Sequence, residues 1–558
     1  MAIDPANPLI VQSDRTLLLD VHAPLAEEAR IAIMPFAELE KSPEHIHTFR
    51  ITPISLWNAA SAGFSPRDIA GALETYSRYA VPQGIIEGFS DVMSRYGKIR
   101  MCSGKSDDDL LLVVADKKIR AEIRAAKSLD KYIIEEAHDS FCLRLTDRGT
   151  VKRELIRLGW PVKDEAPLAA GDPLDISFRT ETAEGLPFTV RDYQLEAVRS
   201  LLGDGSPGTG YGVVVLPCGS GKTIVGMAVM AGLKTNTLIL STNVAAVHQW
   251  MDELLDKTDL RPEDIAEYTG DSKTVASVTV ATYQILTWRP HKEGSFPHFK
   301  LFRERPWGLI IYDEVHLLPA PVFRVTAELQ AVRRLGLTAT LVREDGAEDA
   351  VFSLVGPKRY DVPWKELEGK GWIASALCSE IRLDLPERLQ VPYAVAGKRE
   401  KYRVASENPL KETVAVQLVE NHPEDFIMVI GQYISQLESL ARLLKAPLIT
   451  GKTPNAERER IYHDFRNGKN RLIVVSKVAN FAIDLPDASM AIQVSGSFGS
   501  RQEEAQRLGR ILRPKGGRNS YFYTLVSRYT VEEDFAANRQ KFLAEQGYKY
   551  SIQHWSGL

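Results

Sequence analysis

The chain has 558 residues, of which 44% are hydrophobic and 25% charged, and its formal net charge is −4. Such a length exceeds what one hydrophobic core supports and implies about three or four domains, while the balance excludes a disordered chain and any global basic field. Cys102, Cys142, Cys218 and Cys378 lie far apart and form no CxxC, which argues against a zinc site or a disulfide framework.

In chain order, Thr16 to Val21 reads as a strand. Ser65-Pro66-Arg67-Asp68 then sets a cap, a first-turn proline and an acid three residues on, with Ile69, Leu73 and Tyr76 following on one face. That pattern predicts a helix start. A second helix is predicted over Gln83 to Tyr96, and Lys98 to Met101 and Leu110 to Val114 flank the turn-rich Ser103 to Asp109. Helices followed by a hairpin predict a winged-helix-like domain over 1–116, a form that serves DNA or protein partners. Phe141 to Leu145 as a strand and Thr150 to Leu158 as a helix predict a small α+β domain, bounded at 117–183, from which the Pro/Gly/Asp-rich linker Glu165 to Asp172 leads toward the next region.

The region 184–362 carries the chemistry. Val213 to Leu216 reads as a buried strand, Pro217-Cys218-Gly219-Ser220-Gly221 breaks it, and Lys222-Thr223 opens a helix. Backbone amides at glycines and a helix N-terminus suit phosphates, Lys222 supplies a charge, and the Thr223 hydroxyl is a ligand for Mg²⁺. The first glycine of the usual phosphate loop is replaced by Leu216, and Cys218 reads as a small filler. Upstream, Arg191 and Gln194 are candidates for the adenine edge of ATP. The apolar strand Leu309 to Tyr312 delivers Asp313 and Glu314, one for the metal and one for the attacking water. His316 reads as a relay toward Thr338 and Thr340, while Thr242 and Thr282, at other strand ends, suit nucleic-acid phosphates. Arg343-Glu344-Asp345 is either a solvated turn or a contact at a DNA junction.

A second α/β half is predicted over 363–558, with strands at Phe426 to Ile430, Arg471 to Ser476 and Met490 to Val494 and a helix over Tyr433 to Leu444. In Arg501 to Arg513, a helix would set Gln506, Arg510 and Arg513 on one face, where guanidiniums suit a γ-phosphate.

The ordered set Arg191-Asp192-Tyr193-Gln194, Leu216 to Thr223, Asp313-Glu314-Val315-His316, Leu337-Thr338-Ala339-Thr340, Arg343-Glu344-Asp345 and Gln506 to Arg513 resembles superfamily 2 helicases, and closely the XPB family of DNA-repair helicases. Leu56 to Gly63 and Val81 to Ile86 also resemble that family's N-terminal domain. The resemblance implies an α/β protein in which two RecA-like parallel-sheet domains form a helicase core, preceded by small α+β domains, of which 117–183 is damage-recognition-like. It implies ATP and Mg²⁺, DNA as single strand and duplex junction, 3′ to 5′ movement, and a thumb-like insertion near 393–409, where Lys398, Arg399, Lys401 and Arg403 cluster. Val478 to Pro486 departs from the family's usual Gly-Asp-Thr-like run, which puts coupling of nucleotide to DNA in question.

The expected activity is ATP-dependent DNA unwinding, the alternatives being a double-strand translocase or a non-catalytic DNA-binding scaffold. A repair nuclease or transcription and repair proteins are the expected protein partners, and a cytoplasmic, nucleoid-associated location without membrane contact is expected.

Overall fold

The computed structural model describes residues 4, 6–41, 45–106, 109–203, 209–217, 219–291, 296–318, 322, 326, 332–339, 350–362, 367, 370, 372, 376–476, 488–496, 520–545 and 549–555. They form two compact units, one of Met1–Glu38, Phe49–Leu216 and Gly221–Val362 and the other of Leu39–Thr48, Pro217–Ser220 and Pro363–Leu558.

In the first unit the hairpin Leu9–Val11 and Thr16–Asp20 precedes the helices Pro53–Ser61, Pro66–Tyr76 and Gln83–Ser94. At the second of these, the Ser65 hydroxyl accepts from the Asp68 N–H at 3.2 Å and the Asp68 carboxylate accepts from the Ser65 N–H at 2.7 Å. Two amides that a helix start leaves unpaired are thereby satisfied.

Ile99–Ser103 and Asp109–Val114 form the predicted hairpin, but they do not close a winged unit of their own. Asp109–Val114 also pairs antiparallel with Ser140–Arg144, and Ile99–Ser103 pairs in parallel with Val162–Asp164. A boundary at 116 therefore runs through one five-stranded sheet. The cause is burial: Leu110, Leu112 and Val114 share a core with Ile119, Ile123, Phe141, Leu143 and Leu155, and a two-stranded hairpin alone cannot bury such a face.

The larger sheet of this unit is wholly parallel, in the order Ile265–Tyr268, Val278–Thr282, Thr237–Ser241, Leu309–Asp313, Arg333–Thr338, Gly212–Val215, Lys358–Asp361. Leu238 to Leu240, Leu309 to Ile311 and Val213 to Val214 are fully buried, as continuous apolar runs in sheets covered on both faces should be. Asn58 in the helix Pro53–Ser61 accepts from the Lys358 N–H at 2.9 Å, so the edge strand Lys358–Asp361 is covered rather than open.

A buried ion cluster ties the smaller sheet to this one. Arg148 donates to both Asp164 oxygens at 3.0 and 2.7 Å, Lys152 donates to the same carboxylate at 2.9 Å, and the Tyr211 hydroxyl donates to the Asp164 backbone oxygen at 2.9 Å. The Arg334 guanidinium lies 5.1 Å from the centre of the Tyr211 ring. Burial, reinforced by Arg334 and Arg148, outweighs the attraction of Asp164 and brings the Lys152 ammonium down to about 8.

The second unit repeats the architecture, with seven parallel strands in the order Leu448–Ile449, Leu472–Ser476, Ile427–Gly431, Met490–Gln493, Ser520–Ser527, Ala376–Leu383, Lys549–His554. Over 393–409 the chain is mostly helical: Glu387–Val395 ends there and Lys398–Ser406 follows. Ser406 and Lys411 both donate to Glu532, at 3.0 and 2.8 Å, which anchors the end of the basic helix in the core.

Candidate nucleotide and nucleic-acid site

The site is built at the carboxyl ends of the first unit's parallel strands, where open α/β sheets bind ligands. Val215 pairs with Thr338 and Asp313 with Leu337, so the phosphate loop and the acidic pair leave the sheet on either side of one strand. Gly219 and Gly221 have φ of 76° and 79°, and Gly221 caps the helix Lys222–Leu233. The left-handed φ is what requires glycine at Gly221, and a Cβ there would also stand 2.7 Å from the Gln194 amide nitrogen and make that side chain shift.

Lys222 Nζ donates to Glu314 Oε1 at 2.8 Å. His316 Nδ1 lies 2.7 Å from Thr338 Oγ1 and 3.6 Å from Glu314 Oε2, between the acid and the neighbouring strand. Glu314 itself has φ of 48°, a left-handed conformation rare outside glycine that costs about 1–3 kcal/mol and is tolerated where surroundings enforce it. Burial alone would raise the Glu314 carboxyl, but Lys222 and His316 outweigh it and hold it below the ordinary range. Asp313 goes the other way: burial and then the Glu314 charge push it up.

Three partners of Asp313 carry no motif in the sequence. Trp250 Nε1 and Ser241 Oγ donate to its Oδ2 at 3.0 and 3.2 Å, and the Tyr283 hydroxyl donates to its backbone oxygen at 2.9 Å. Gly226 was the available signal: a Cβ there would meet the Trp250 ring at 2.5 Å, so a glycine in mid-helix makes room for the indole.

Gln194 is buried, not a surface glutamine; its Oε1 accepts from the Arg191 N–H at 3.0 Å. Pro217 and Ser220 bond to each other within the loop, Ser220 Oγ donating to the proline carbonyl at 2.6 Å, and Thr223 is the second residue of the helix. The Thr282 hydroxyl caps the helix Tyr283–Thr287 by accepting from the Ile285 N–H at 3.2 Å, and Thr242 is half-buried beside Asn243 at 3.2 Å. Lys398 and Arg399 are exposed at the start of their helix. Cys218, Thr340, Arg343, Glu344, Asp345, Gln506, Arg510 and Arg513 lie outside the described residues, as does the whole of the departing run Val478 to Pro486. Among the described residues no helix is long and apolar enough to cross a membrane.

The chain matches three family profiles: ERCC3/RAD25/XPB C-terminal helicase over 367–556, type III restriction enzyme, res subunit, over 187–343, and helicase conserved C-terminal domain over 9–138. It is 51% identical to the DNA 3'-5' helicase XPB of Kineococcus radiotolerans, covering 98% of this chain and 96% of that one. The DNA 3'-5' helicase XPB of Mycobacterium tuberculosis is 49% identical, over 98% of each chain. The general transcription and DNA repair factor IIH helicase/translocase subunit XPB of Enterocytozoon bieneusi is 32% identical, over 97% of this chain and 92% of that one. With two RecA-like parallel sheets and this similarity along nearly its whole length, the chain belongs to the XPB family of superfamily 2 DNA helicases.

Proposed function

We propose that the chain hydrolyses ATP with Mg²⁺ and uses the energy to open DNA in the 3′ to 5′ direction. The observation that carries this is the Lys222–Glu314 pair, 2.8 Å apart beside Asp313 at the end of one parallel sheet, in a member of the XPB family.

The residues fit both ligands. Two adjacent carboxylates at a buried strand end, with Thr223 opening the helix of the glycine loop, form a donor set suited to a hard divalent cation. Asp313 and Thr223 would hold the ion, which when bound offsets phosphate charge. Lys222 serves the outer phosphates; a triphosphate competes with Glu314 for it, and the released carboxylate takes the proton of the attacking water. His316 reports the state of Glu314 to Thr338 through its short contact with that hydroxyl. Arg191 and Gln194 select adenine, Pro217 to Gly221 cradle phosphate, and from the second half Arg510 and Arg513 supply guanidinium charge with Gln506 as a neutral polar group on the same face.

Thr242, Thr282, Thr338, Thr340, Arg343 to Asp345, Lys398 and Arg399 serve DNA contact or coupling. Duplex translocation with little unwinding is the second reading, favoured by the helicase/translocase name of the E. bieneusi relative. Repair or transcription proteins, a nuclease among them, and a nucleoid location fit this role.

Phosphate release by the unmutated chain should rise on adding DNA and be lost in Lys222→Ala by at least about two orders of magnitude, as removal of a transition-state charge requires. Unchanged release in Lys222→Ala would remove Lys222 from the mechanism.

A further inference from the structure

One exposed patch of the first unit has no part in the site above. Trp288 ends the helix Tyr283–Thr287, which itself starts at the carboxyl end of Val278–Thr282, and it is 52% exposed. Its indole is held in place although half of it faces solvent. The Trp288 and His298 rings meet edge to face at 5.8 Å and 63°, and His298 Nδ1 is 3.0 Å from the hydroxyl of Tyr268, a residue of the rigid strand Ile265–Tyr268. Beside them the Arg289 guanidinium lies 5.1 Å from the centre of the Phe296 ring, and Phe296 stacks on Phe299 at 4.8 Å.

The stretch that carries the patch is basic in sequence, unlike the chain as a whole, and within it Lys300 pairs with Glu304 at 3.3 Å. From Trp288 to Arg305 there are five Lys or Arg against two Glu, and Lys273 and Lys300 lie close enough to His298 to help burial lower the imidazole and keep it an uncharged stacking ring.

A fixed, half-open aromatic face among cations matches what single-stranded nucleic acid needs: a platform for an unstacked base and charge for the flanking phosphates. Duplex DNA keeps its bases stacked and offers the indole nothing. Because the ledge is held by His298 and Tyr268, little side-chain freedom is lost on binding.

We infer that Trp288 is a base-stacking platform for single-stranded DNA, with Arg289, Lys273 and Lys300 as its phosphate contacts. The inference rests on the DNA-helicase reading and deepens it, and it adds a strand-binding position after the Thr282 strand end.

The test is anisotropy of a labelled oligothymidine with the full chain, beside an abasic strand of equal length. Trp288→Ala should weaken oligothymidine binding about tenfold, Trp288→Phe should restore most of it, and the abasic strand should bind both variants and the unmutated chain alike. Trp288→Gln, which keeps bulk without an aromatic face, repeats the comparison if Trp288→Ala melts early. Unchanged oligothymidine affinity in both non-aromatic variants, or an equal loss on the abasic strand, would overturn the platform. Failure of the unmutated chain to bind any DNA would instead sink the helicase reading.

Discussion

At the scale of single residues, the site is organised by what surrounds Asp313. Its carboxyl is pushed up by burial and by Glu314, and the Trp250 indole works against both by donating a hydrogen bond. Trp250→Phe removes that donor while keeping an aromatic ring under Gly226. A hydrogen bond to a charged group is worth about 1.5–3 kcal/mol, and losing it raises the Asp313 pKa further. The acid limb of the ATPase pH profile should therefore move to higher pH. A limb that stays in place while the melting temperature falls would assign Trp250 to packing alone. The Asp313-Glu314 pair was legible from an apolar strand ending in two acids. Its Trp250 donor was not, because that contact spans 63 residues and depends on two strands lying side by side.

At the scale of elements, strands and caps were legible where one face or one turn decides them. Leu309–Asp313 and the Ser65 cap of Pro66–Tyr76 follow from local pattern alone. The grouping of Ile99–Ser103 and Asp109–Val114 with Ser140–Arg144 was not, since a hairpin pattern names its own turn but not the third strand that closes the sheet. The cluster at Lys152 is of the same kind, being three cations and one acid brought together from distant segments. It also makes stability depend on pH. Unfolded, Lys152 holds its proton up to its ordinary value of 10.5; folded, it releases it near 8. Between those values the unfolded chain binds more protons, so stability rises with pH, and the contribution is lost as pH falls through about 8. Lys152→Met, with Arg148 still holding both Asp164 oxygens, should flatten the rise of melting temperature over that window, by up to about 3 kcal/mol in stability. Parallel pH profiles for the two proteins would show that Lys152 keeps an ordinary pKa.

At the scale of the whole molecule, two parallel sheets repeat one design: buried apolar strands delivering polar residues at their carboxyl ends. The first presents Gly221, Lys222, Asp313, Glu314, His316 and Thr338 together, a set that suits the phosphoanhydride hydrolysis proposed for it. Use of that chemistry to separate strands comes from the family, and direction of travel is its sharpest consequence. The most direct measurement is ATP-driven strand displacement by the full chain on duplexes carrying a 3′ tail or a 5′ tail, with Lys222→Ala beside it. The account predicts displacement of the 3′-tailed duplex, little of the 5′-tailed one, and none by Lys222→Ala. Displacement favouring the 5′ tail, or displacement that survives Lys222→Ala, would contradict it.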